Sequence, residues 1–273
     1  MIISPTTMEQ LHEIQLEMLK ELIRVMDELN IKYYFVHGSL LGAIRDNDFI
    51  LEDDDIDIAI FREDYNKLIK YGQTLISSEF FIQNSVTDEY PLPFAKVRKF
   101  NTTFRQPILG NCKCNQGVYI DIFPIDYEAS GFMFKIKNKL LNANISHVLC
   151  GISSSIKTKL IYILSKLYCY RYDMALLKRE VLYSSTKKSD FVCIYGGKAS
   201  ERHMPAKWFD ETIDAKFRDI SVKCPANYKD YLARIYGADY INHNPASDRF
   251  DNTGIEISAD VLDFEKSYLE YQN

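Results

Sequence analysis

The stretch Asp53-Asp54-Asp55-Ile56-Asp57-Ile58-Ala59-Ile60 carries two patterns at once. Ile56, Ile58 and Ile60 alternate with Asp55, Asp57 and Ala59, the period of a strand with one face in a core. Side chains two apart on a strand share a side, so Asp55 and Asp57 project together while the isoleucines enter the interior. Like charges that close repel unless a cation neutralises them, and Mg²⁺ takes one or two carboxylates together with phosphate oxygens. Asp55 and Asp57 are therefore candidate ligands of a hard divalent cation, weighed against a merely solvated acidic strand start. A calcium-binding loop is disfavoured, because it needs glycine at the position held by Ile58.

Upstream, Met8 to Leu29 has helical apolar spacing with Asn30 as its stop, and Lys32–Val36 is rich in β-formers. Gly38-Ser39 then precedes a short helical stretch, Leu40 to Arg45. Helix N-termini present unpaired amides to phosphate, so Gly38 and Ser39 gain interest from lying just before the acids, although a simple turn with a serine cap is the plainer reading. Downstream, Asp64 to Ile76 reads as a helix, and Lys96–Phe100 and Val118–Phe123 as strands, the second closed by Pro124. Phe132 to Leu182 is mainly helical. Phe191–Tyr195 and Thr212–Val222 look like strands, and Tyr228–Tyr236 like a helix stopped by Gly237. The tail after Asn244 is polar and expected to pack loosely.

Asp121 interrupts the apolar strand Val118–Phe123, where a lone carboxylate is expensive to bury. It needs a partner, either a structural hydrogen bond or the same cation as Asp55 and Asp57. Lys96 and Arg98, two apart on a strand, would meet phosphate oxygens together or stand exposed on an edge strand. Cys112 and Cys114 lack a second pair or histidine cluster and do not read as a zinc site.

The chain has 273 residues and a formal charge of −5, but the charge is unevenly placed. Between Phe132 and Lys188 there are eleven Lys or Arg against two acids, Asp173 and Glu180. The plainer reading is a helical subdomain with solvated lysines; the sharper one is a peripheral contact with an anionic membrane. Lys159 and Lys166 interrupt the apolar stretch around Leu160–Leu167, so no membrane-spanning helix is expected. Six cysteines without a secretory pattern and no leader-like start predict reduced thiols and a cytoplasmic location, at the inner face of the membrane if the basic segment docks there. No nucleic-acid partner is expected.

The run His37-Gly-Ser-Leu-Leu-Gly-Ala-Ile-Arg45, Phe49-Ile50 and Asp53-Asp-Asp-Ile-Asp57 resembles the signature of the LicD family of phosphotransferases. Val118–Asp126 and Ala226–Gly237 are similar to later family blocks. The chain departs from the family at Leu51-Glu52, where Pro-Trp is usual, and at His37, where a small residue is usual. The resemblance implies an α+β nucleotidyltransferase-like fold, a small mixed sheet with flanking helices plus a mainly helical insertion. The corresponding division is a catalytic core over 1–131, a basic helical subdomain over 132–189, and C-terminal strands and a helix over 190–273 that complete the core. It further implies Mg²⁺, with Mn²⁺ as an alternative, on Asp55, Asp57 and Asp121. Gly38, Ser39, Arg45, Lys96 and Arg98 become the candidate substrate-binding residues. The implied reaction moves a phosphoryl-linked group, such as phosphocholine from a CDP-linked donor, to a sugar hydroxyl of a glycan or its lipid-linked precursor. A nucleotidyltransferase acting on a small molecule, a sugar-nucleotide glycosyltransferase and an inactive glycan-binding scaffold stay open as alternatives.

Overall fold

The computed structural model describes residues 1–109, 112–128, 132–150, 156–171, 175, 178–179, 182–183, 187–194, 201–243, 250–251 and 254–271. The chain runs β1 (Ile2–Ile3), α1 (Pro5–Glu28), β2 (Tyr33–Phe35), α2 (His37–Arg45), β3 (Asp57–Phe61), α3 (Arg62–Leu75), β4 (Phe80–Gln83), β5 (Ala95–Lys99), β6 (Thr103–Arg105) and β7 (Tyr119–Tyr127). Then follow α4 (Phe132–Cys150), α5 (Ile156–Tyr168), β8 (Phe191–Ile194), β9 (Met204–Pro205), β10 (Thr212–Phe217), β11 (Ile220–Pro225), α6 (Tyr228–Tyr236), β12 (Phe250–Asp251), β13 (Gly254–Glu256) and β14 (Val261–Asp263).

The organising element is a mixed sheet in the order β2-β3-β7-β5-β4, extended by β8 on β7 and β9 on β8. Within it β3 and β7 run parallel, and the other pairs are antiparallel. Ile56, Ile58 and Ile60 are fully buried, as the alternation predicts. The fold is α+β, with helices flanking this sheet.

Helix α1 begins where Ser4 Oγ accepts the Thr7 backbone N–H at 3.1 Å and Pro5 takes the first helical position. Its apolar stripe, from Met8 and Leu11 to Val25 and Met26, is buried. The helix ends at Asn30, whose φ of 51° only a few residue types adopt easily. Two polar side chains, His12 and Gln15, lie on the same buried face.

Three expectations need correction. Pro124 does not close its strand, since β7 continues to Tyr127. Asp121 N–H points at Ile56 O of the β3 side, so by alternation the N–H that Pro124 lacks would point to the opposite edge. There the β5 ladder has ended at Ile122 and the β8 ladder starts at Ile125, so no donor is missed. The segment Thr212–Val222 is not one strand but a hairpin, with Arg218 at φ 52° in its turn. The tail is not loose: β13 pairs with β1, β14 pairs with β6, and Ile255, Ile257 and Ala259 are buried. Residues 244–249, at the start of that tail, lie outside the described residues, as does Tyr195 of the Phe191–Tyr195 strand.

Helices α4 and α5 pack on each other and fall between β7 and β8, which pair directly from Tyr127↔Val192 to Ile125↔Ile194. Residues 151–155 and most of 172–186, including Asp173 and Glu180, lie outside the described residues of the helical stretch expected over Phe132 to Leu182.

Candidate active site

Asp57 opens β3 and stands in register with Asp121 on the parallel neighbour β7. Lys96 on β5 is in turn in register with Asp121. The sheet therefore lines up Asp57, Asp121 and Lys96 across three adjacent strands. Asp55, one strand period before Asp57, completes the cluster: carboxylate oxygens of Asp55, Asp57 and Asp121 lie within 4.8 Å of one another. An all-oxygen donor set at that spacing fits a hard divalent cation such as Mg²⁺ or Mn²⁺. The electrostatics agree. Burial and then the charges of Asp57, Asp53, Asp54 and Asp121 push the Asp55 carboxyl well above its usual 3.8.

Of the two partners the sequence left open, Asp121 has the structural one, an ion pair from Lys96 Nζ, and it faces the carboxylates with which it would share a cation. Burial lifts its carboxyl to about 6, with Lys96 pulling it down and Asp57 pushing it up. Lys96 is 1% exposed, and its ammonium stands 3.4 Å from the centre of the Tyr119 ring. Burial lowers its pKa while Asp121 opposes that shift.

Arg98 is placed differently from its expected role. β5 is an interior strand, and Arg98 is fully enclosed, donating to Gln83 Oε1 at 2.9 Å and to Gly117 O at 2.7 Å. It braces the sheet and has no surface from which to meet a substrate. Arg45 is also apart from the carboxylates. It ends α2, about 12 Å along the helix from His37, and forks onto Asp46 while donating to His243 O at 2.8 Å.

Gly38 and Ser39 sit in the first turn of α2, beside the acids. A Cβ on Gly38 would fall 2.0 Å from Asp53 Oδ2, so glycine there admits the Asp53 carboxylate against the backbone. Ser39 Oγ accepts the Asp57 N–H at 2.8 Å and fixes the start of β3.

Further residues complete the site. His37, at φ 50°, points Nδ1 at Asp57 Oδ2 (3.1 Å) and Nε2 at Glu201 Oε1 (2.5 Å). Both acceptors are carboxylates, so both ring nitrogens donate and the ring is an imidazolium. Burial opposes that charge, but Glu201 and Asp57 outweigh it and hold the pKa well above 6.5. Tyr231 donates to the same Glu201 oxygen at 2.7 Å. From α1, His12 donates to Asp53 O at 2.7 Å and Gln15 to Asp54 O at 2.9 Å. Burial lowers the His12 pKa, consistent with a neutral donor ring. The tail contributes too, Ser258 N–H donating to Asp54 Oδ2 at 2.6 Å. His12 and Gln15 left a trace in the sequence, as polar residues on an otherwise apolar helical stripe; Glu201 left none.

Residues 30–146 match the family described as LicD/FKTN/FKRP, nucleotidyltransferase domain, a span that holds Asp55, Asp57, Lys96 and Asp121. Over 238 residues the chain is 21% identical to the lipopolysaccharide cholinephosphotransferase LicD of Haemophilus influenzae, covering 82% of this chain and 87% of that protein. The acidic run and the in-register carboxylates both fall inside the matched segment, so over residues 30–146 the chain is similar to the LicD/FKTN/FKRP nucleotidyltransferase domain.

Proposed function

We propose that the chain is a Mg²⁺-dependent transferase that moves a phosphate-linked group, in the first instance phosphocholine from CDP-choline, to a sugar hydroxyl of a cell-surface glycan or its lipid-linked precursor. The observation that carries this reading is the cluster of Asp55, Asp57 and Asp121 beside Lys96, in a chain similar to a lipopolysaccharide cholinephosphotransferase. Asp55 and Asp57, with Asp121 as third carboxylate, would hold the cation. Bound there, Mg²⁺ supplies positive charge to the donor diphosphate.

The chain's own residues do the rest. The acceptor hydroxyl oxygen attacks the phosphorus of the choline phosphate group, and the bond from that phosphorus to the leaving CMP oxygen breaks. The hydroxyl proton passes to Asp121, the carboxylate of the cluster that lies against Lys96. Lys96 keeps Asp121 in place and carries the compensating charge. Ser39 and His37 fix Asp57 from two sides. Such a donor is a charged nucleotide of the cell interior, so the reading includes a cytoplasmic site of action.

The test is to incubate the chain with CDP-choline, CDP-ribitol, CDP-glycerol and sugar nucleotides, with Mg²⁺, Mn²⁺ or chelator, and to identify the nucleotide released. Metal-dependent release of CMP supports the reading, with Asp55→Asn and Asp57→Asn inactive. Full turnover in chelator would overturn the metal assignment. Transfer of a nucleoside monophosphate would make the chain a nucleotidyltransferase, and release from a sugar nucleotide alone would make it a glycosyltransferase.

A further inference from the structure

Helix α5 turns an apolar stripe outward. Its enclosed side holds Ser165, with Cys169 just past its end, at 0% and 1% exposure. Leu160, Ile163, Leu164 and Leu167, spaced as one helical stripe, are 57%, 58%, 47% and 82% exposed. Tyr170 extends the exposed apolar surface. The start of α4 repeats the pattern, with Phe132, Met133 and Ile136 exposed and Leu141 and Asn144 buried. A stripe of this period is ordinarily what a helix hides, and apolar surface of this kind left open marks a contact site.

The charge around the stripe selects what it contacts. Lys159 and Lys166 lie on α5 itself, and Lys135 and Lys139 are exposed on α4. Residues 132–188 carry eleven Lys or Arg against two acids. A second copy of the same face would set this positive charge against itself. An anionic bilayer matches both properties, because apolar side chains enter the boundary between headgroups and acyl chains while lysines meet lipid phosphates. No helix among the described residues is long and apolar enough to cross a membrane, so the contact is with its surface.

We infer that α5, with the first turn of α4, docks this protein on an anionic lipid surface. The apolar stripe seats the helix in the plane of the interface, and the flanking lysines make the attachment sensitive to salt. Each basic residue at such a surface adds about fivefold to binding, so even two of the three lysines of α5, Lys159 and Lys166, matter. The inference stands apart from the transfer reaction and is read without it.

The test is co-sedimentation of the full chain with vesicles of mixed phosphatidylglycerol and phosphatidylcholine and of phosphatidylcholine alone, at low and high salt. Binding to the anionic vesicles is expected to exceed that to neutral ones by about tenfold or more, and to weaken as salt screens the lysines. The pair Leu160→Glu with Leu167→Glu should lower binding by about tenfold or more, and separately Lys159→Glu with Lys166→Glu by about 25-fold or more, with unchanged melting curves because all four side chains lie away from the enclosed side of the helix. Equal binding to both vesicle types, no binding at low salt, or binding that neither pair of substitutions reduces would overturn the proposal. So would sedimentation without vesicles as a dimer that the leucine substitutions dissolve, since the stripe would then be covered by a second copy.

Discussion

His37 Nε2 lies 2.5 Å from Glu201 Oε1 while Nδ1 of the same ring meets Asp57, so one imidazolium ties a carboxylate of the acidic cluster to a buried acid 164 residues away in sequence. His37 is thus built into the site. Glu201→Gln keeps an acceptor for Nε2 but removes the charge that balances the ring. It is expected to weaken Mg²⁺ binding and turnover by about 10–100-fold, as loss of a ligand-orienting partner does, with a near-parental melting temperature. Calorimetric titration of Mg²⁺ beside the melting curve checks this. A lower melting temperature with unchanged Mg²⁺ affinity would reduce Glu201 to a packing role.

Asp55 yields a pH prediction. Its carboxyl is held well above 3.8 by burial and by the neighbouring acids, so the folded chain keeps that proton to higher pH than the unfolded chain. Its contribution to stability therefore falls as pH rises above 3.8. With metal chelated, Asp55→Asn should melt about 2–6 °C above the parent at neutral pH. The advantage should shrink to nothing as the pH drops below about 4. Melting curves of both proteins across that range, in chelator, decide it; a variant less stable at every pH would contradict the repulsion.

Lys96 and Asp121 form a buried ion pair, which sets what Asp121→Asn should do. In the structure it strands a lysine that is 1% exposed, so a loss of about 3–5 kcal/mol is expected together with the loss of activity. Adding Lys96→Met should recover much of the stability and none of the activity. Denaturant titrations of both single variants and the double variant measure the coupling.

Gly38→Ala places a Cβ 2.0 Å from Asp53 Oδ2. The carboxylate or the helix start must move, at a cost of about 1–3 kcal/mol. Because Asp53 precedes the cluster by two residues, activity should fall further than stability does. Chemical denaturation and turnover, measured on the same preparation, separate the two effects.

The local pattern of the chain was largely legible. The isoleucine alternation located β3, the helical spacing located α1, and the polar interruption at Asp121 marked a carboxylate with a partner. What could not be read was which strands become neighbours. The parallel pairing of β3 with β7 is a long-range event, and only it brings Asp121 beside Asp57. For the same reason the sequence left Lys96 and Arg98 between meeting phosphate and standing exposed on an edge strand: an edge strand and an interior strand share one local pattern, and only the β4 and β7 pairings make β5 interior. Pro124 misled because a proline breaks a ladder only where a donor is called for. Glu201 was invisible because its partner is fixed by tertiary packing alone.

The register of Asp57 with Asp121 also bears on which changes such a site tolerates. The separation of these carboxylates is set by the gap between hydrogen-bonded strands, about 4.8 Å, a property of the main chain rather than of the side chains packed around it. Substitutions can accumulate on either face of the sheet without moving that ruler, provided the ladder keeps its count. A one-residue slip would turn one of the acids to the opposite face. An insertion or deletion within β3 or β7 would therefore disarm the cluster outright, where a substitution beside it leaves the spacing of its carboxylates intact.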